Sequence, residues 1–239
     1  VRFKGPRPEG ERHDLPSAMR TICGPFKRSL PYVVTESSKL AQVVLWLDGG
    51  AAAETPPTTP LVLNIKRCEW QPELATATRG QVLVIGNLDA ETQQPLLRWH
   101  DDGESATPAR RPLHMWIPSR GQQIATVLRA RGLLDLTTTA NRPWLHARVR
   151  VFDHTLHTTS GERGDFEIGD VAPGPYTLHA WHPTLGETSQ EVVIQSGRDT
   201  SALFTYTPDG PEPRSGAGSS ERVPTSRPAA NSGEATHAR

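Results

Sequence analysis

The sequence predicts an all-β chain, with one β-sandwich over residues 1–145, a smaller one over 146–206 and a tail without stable structure over 207–239. Three observations carry that prediction. Apolar residues recur in short period-2 runs, as in Val149 and Val151, Phe166 and Ile168, and Tyr176 and Leu178. Turn residues punctuate the runs at Ser160-Gly161, Arg163-Gly164-Asp165 and Ala172-Pro173-Gly174-Pro175, where Gly accepts positive φ and Pro withholds a ladder N–H. After Thr207 the chain is mostly Pro, Gly, Ser, Ala and Thr, with Val223 the one large apolar residue, too little to offset the entropy of ordering.

The elements follow in order. Val1-Arg2-Phe3 reads as a strand, and Tyr32-Val33-Val34 and Gln42 to Leu47 read as strands around a Thr35–Lys39 turn. Ala51 to Pro60, rich in Ala, Thr and Pro, is a loop. Leu61 to Ile65, Glu73 to Thr78 and Gln81 to Asn87 are strands, the last two joined by an Arg79-Gly80 turn. Arg98 to Arg111 is polar and reads as an exposed excursion before the strand Leu113 to Pro118. Gln122 to Gly132 has the composition of a short helix, but a strand with a Gly turn after Arg131 suits its surroundings, and that reading is adopted. The second sandwich starts near Arg148 and draws its apolar positions from Val149, Val151, Phe166, Ile168, Tyr176, Leu178, Val193, Ile194, Leu203 and Phe204. Its central register is expected from the Pro173-Gly174 turn.

The 239 residues carry 26 basic and 26 acidic side chains, so no global field draws the chain to nucleic acid or an anionic membrane. No apolar run approaches the roughly 18 residues that span a bilayer. The chain begins at Val1 inside an apparent strand, so a signal or lipoprotein segment upstream is expected to have been lost, and export stays open. Cys23 and Cys68 are too far apart for a CxxC clip and suit one structural disulfide, worth about 4 kcal/mol by loop closure; two buried free thiols are the other reading.

The run Gly164 to Gly186, containing GDFEIGDVAPGPYTLHAWHPTLG, resembles bacterial exported proteins that join a cupredoxin-like sandwich to a carboxypeptidase-regulatory-like (prealbumin-like, starch-binding-like) β domain, often called methylamine-utilisation-like. The N-terminal part is similar through Ile22-Cys23-Gly24, Val43 to Leu47, Cys68 to Pro72, the Gly80 turn and Asn87-Leu88-Asp89. The resemblance covers most of residues 1–206. It implies a copper site fed by a His soon after the Asn-x-Asp turn and by a later Cys-x-x-His-x-x-Met-like segment. Here Gln93, Gln94 and Pro95 hold the first position, and Thr139, Arg142 and Leu145 stand where Cys, His and Met would align. None is a soft copper ligand, and Arg142 is a permanent cation. No metal and no cofactor is therefore expected.

Other constellations read as structural. His179 and Trp181 share a strand face while His182 points the other way, and no G-x-S-x-G elbow occurs. Asp165, Glu167 and Asp170 belong to turns rather than to an acid–base pair. Trp46, Trp116, Trp144 and Trp181 read as core, whereas Trp99, beside His100 in the polar excursion, is a candidate sugar platform, and Trp70 is undecided. The expected ligand surface is Trp99, His100, His179 and His182. The expectation is a non-catalytic periplasmic or envelope protein that binds protein partners. Carbohydrate binding is one alternative, and metal or electron handling through His100, His114, His154 or His157 is another.

Overall fold

The computed structural model describes residues 1–49, 55–100, 111–140 and 142–212. In chain order its elements are β1 (Arg2–Phe3), β2 (Glu11–Asp14), α1 (Ser17–Cys23), β3 (Phe26–Ser29), β4 (Val44–Asp48), β5 (Leu61–Lys66), β6 (Glu69–Gln71), β7 (Leu74–Thr78), β8 (Val82–Asn87) and β9 (Pro95–His100). They continue with β10 (Leu113–His114), β11 (Gln123–Val127), β12 (Gly132–Thr138), β13 (Ala147–Phe152), β14 (His157–Thr159), β15 (Gly174–His182), β16 (Gly186–Ile194), β17 (Thr205–Thr207) and β18 (Gly210–Pro211). The chain is all-β, as its alternation requires; α1 is its one helix among the described residues.

The first sandwich packs the sheet β10-β9-β12-β13-β7 on the sheet β11-β8-β5-β6. Inward residues of both sheets, among them Leu63, Ile65, Leu83, Ile85, Leu134 and Val149, form one core around Trp70. The hairpin β2–β3 and α1 cover its flank, inserting Leu15 and Cys23 and tying down through the Lys27–Glu69 ion pair at 2.7 Å. The buried Lys27 is compensated only because that carboxylate meets it.

The second sandwich is built on the sheet β14-β4-β15-β16, faced by the short sheet β1-β17-β18. Its core includes Phe3, Leu45, Leu47, Leu178, Ala180 and Tyr206. The Tyr206 hydroxyl donates to Ala180 O at 2.8 Å, and burial pushes its pKa up. β4 is apolar on both faces because Leu45 and Leu47 enter this core while Val44 and Trp46 meet Leu74 and Phe152 of the first sandwich. That explains why Val43 to Leu47 does not alternate.

Several expectations need correction. The sandwiches do not divide at residue 145: β13 pairs in parallel with β7 inside the first sandwich, while β1 and β4 belong to the second. The first sandwich thus lies, in sequence, between β4 and β14 of the second. Arg98 to His100 close β9 rather than open an excursion, and 101–110 lie outside the described residues. Phe166 and Ile168 alternate in burial but join no sheet. The β15–β16 register follows from the turn after His182, closed by Gly186 at φ 83°, and Gly174 is instead the first residue of β15. Ordered backbone continues through β18, past the expected limit at 206; of the expected tail, 213–239 lies outside the described residues.

Candidate functional site

Cys23 and Cys68 are bonded, with Cα atoms 5.2 Å apart, joining the end of α1 to the β5–β6 turn. Arg67 and Cys68 both take positive φ in that turn, and the buried Asp89 carboxylate accepts their N–H groups at 2.5 and 2.8 Å. Asn87 in turn accepts Asp89 N–H at 2.9 Å and donates to Glu91 O and Ile117 O. The Asn-x-Asp motif is therefore a clasp that satisfies strained backbone, which costs about 1–3 kcal/mol per residue if unsupported.

The positions that copper ligands would occupy meet at this same end. Gln94 Oε1 accepts the Thr139 hydroxyl at 2.6 Å, Arg142 pairs with Glu91 at 3.0 Å, and Leu145 is sunk in the first core. Amide, hydroxyl, guanidinium and alkyl groups do not fit a copper ion, and the cation is neutralised by a carboxylate. Among the described residues, the set Cys23, Cys68 and Glu91 brings ligand atoms within 4.8 Å of one another, but its sulfurs are joined to each other.

The structure brings His154, His157 and His179 together at the seam between sandwiches and leaves His100 and His114 apart from them. His179 stacks on Trp46 at 4.7 Å with both ring nitrogens facing carboxylates, Asp48 and Glu187, each at 3.1 Å. His157 stacks on Phe152 and shares a 3.0 Å hydrogen bond with Thr78 Oγ1; burial, then His154, lowers its pKa to about 4. Arg150 lies over Trp46 at 4.6 Å and Trp181 at 5.1 Å. These groups knit the seam. His100 pairs with Asp135 across β9 and β12 at 2.8 Å, and His114 is exposed on β10.

His182 lines a different feature, a cleft of about 450 Å³ between the sandwiches. It is 3% exposed, and its Nδ1 accepts the N–H groups of Thr184 and Leu185 at 3.1 and 3.3 Å, which leaves the proton on Nε2. Burial, then Arg148, lowers its pKa to about 4, and the same two causes lower that of His146 on the opposite wall. Glu73 is raised by burial and by Glu69, against a hydrogen bond from Gln42. Glu9 and Glu11 complete the acidic lining, while the guanidinium of Arg148 is already held by Asp135 at 3.1 Å. With His182 neutral, the cleft offers carboxyl groups and an imidazole N–H donor. Sequence reasoning found His182 but missed Glu73, His146 and Arg148, whose strands are distant in sequence.

Trp99 is partly buried against the first core, and Trp70 is buried. Trp116, expected in the core, is 59% exposed. Alternation carried the signal: Met115 and Ile117 point inward, so Trp116 must point out.

Residues 135–207 match the carboxypeptidase regulatory-like domain family, less than a third of the chain. No curated protein matches. Among solved structures, amicyanin from Paracoccus versutus (Thiobacillus versutus) is similar at 17% identity over 47% of this chain and 99% of that one, with a TM-score of 0.31. A reduced Cu(I) amicyanin mutant at pH 4 is similar at 16% identity over 42% of this chain and 94% of that one, with a TM-score of 0.32. A copper-containing nitrite reductase from Thermus scotoductus SA-01 is similar at 11% over 44% of this chain and 27% of that one, with a TM-score of 0.31. Likenesses at this level carry no argument about activity.

Proposed function

We infer that this chain is a non-catalytic binding or assembly protein that works outside the cytoplasm, at the envelope, and that the methylamine-utilisation resemblance belongs with that reading. The observation that carries it is the cleft, because both sandwiches build its walls and the aromatic seam fixes them against each other. Its carboxyl groups and paired arginine favour a partner surface rich in Lys or Arg. The buried disulfide supports an oxidising compartment. The replacement of soft ligands by Thr139, Arg142 and Leu145 supports binding over electron transfer.

The test is proximity crosslinking in intact cells, comparing the native chain with Glu11→Lys and Glu73→Gln variants of matched thermal stability. One dominant protein adduct, weakened about tenfold by Glu11→Lys, is expected. An adduct pattern that neither variant alters would overturn the cleft assignment.

A further inference from the structure

The second sandwich has one full sheet and an unfinished opposite layer. Between the two lies a groove of about 690 Å³, floored by Leu47, Leu178, Val192 and Ile194. Residues 166–171 form one wall and part of 199–203 the other. Among the described residues, no backbone N–H or C=O of 166–171 or of 199–203 bonds to another backbone group. Yet 166–168 has strand chemistry: Phe166 and Ile168 turn partly inward and Glu167 outward. Backbone that alternates like a strand and has no backbone partner among the described residues offers an edge for pairing, and open edges recruit strands.

We propose that this groove takes an extended segment of a partner protein, which adds as a strand beside 166–171 and completes the second layer. Its alternate side chains are apolar, to meet Leu178 and Val192. The rim carries Glu167, Asp170 and Asp199 against Arg198, so the outward side chains of the incoming segment are basic. The site is separate from the cleft, and its failure leaves the cleft reading standing.

The experiment uses the full chain, amide hydrogen exchange and a synthetic hexapeptide of alternating lysine and valine, capped at both ends. In the free protein, amides 166–171 exchange quickly while those of β15 are protected. With peptide, binding saturates and exchange at 166–171 slows by about tenfold or more. A peptide N-methylated at every residue, which keeps the side chains but has no backbone N–H to donate from either edge, does not bind. Replacing lysine with glutamate weakens binding about tenfold. Protection of 166–171 without peptide, absence of saturable binding, or equal binding of the N-methylated peptide would each overturn the proposal.

Discussion

The first sandwich is closed and the second is open, although both are made from the same alternating apolar runs. In the first, two sheets of five and four strands enclose one core, a disulfide joins flank to edge, and the end near Asn87 is plugged by the Gln94–Thr139 hydrogen bond and the Arg142–Glu91 ion pair. In the second, a four-stranded sheet faces strands of two or three residues, and two stretches of backbone have no sheet partner among the described residues. On the reading proposed above, binding belongs to the second sandwich and to its junction with the first, with the first as support. Unpaired backbone and a shared cleft are places where a partner adds hydrogen bonds; a plugged end is not.

The comparison breaks most severely if the disulfide is not what closes the first sandwich. Replacing Cys23 and Cys68 together with Ala should lower unfolding stability by about 2–5 kcal/mol. Denaturant melts with and without reductant on the native chain check this, and coincident curves would deny the disulfide its role.

An effect that is smaller per residue comes from pH at the junction. His157 in the seam and His182 in the cleft are both held neutral by burial, at about 4 against 6.5 in the unfolded chain. A lowered histidine pKa means that the unfolded chain binds more protons, so stability is complete above pH 6.5 and falls as pH drops toward 4. Each group contributes up to about 3 kcal/mol of that loss. Urea midpoints between pH 7 and 4 should fall, and His157→Gln or His182→Gln should flatten the slope. A slope unchanged by both substitutions would mean that neither ring is buried neutral.

Much of the fold was legible because local rules sufficed. Leu61 to Ile65, Gln81 to Asn87 and Tyr176 to Trp181 alternate between turn residues and became β5, β8 and much of β15. What could not be read was membership: nothing local says that β4 pairs with β15 or β13 with β7, since those pairings span the chain. Leu15, just before α1, and Met19, Ile22 and Cys23 within it have helical spacing and all pack on the first core, but at seven residues α1 is too short for that spacing to stand out from the polar residues around it. Of the candidate site, His182 was visible through its motif, whereas Glu73 and Arg148 gained meaning only when two sheets met around it. Phe166 and Ile168 show the opposite case: their alternation is real in burial, but the strand expected from it does not form.

The central claim is that this chain binds partners and that the plugged end of its first sandwich does not hold copper. Copper analysis of the purified native protein, loaded with Cu(II) and then dialysed against a mild chelator, tests it most directly. Substoichiometric retention and no intense visible thiolate-to-copper band are predicted; tightly retained copper at one ion per chain would contradict the account.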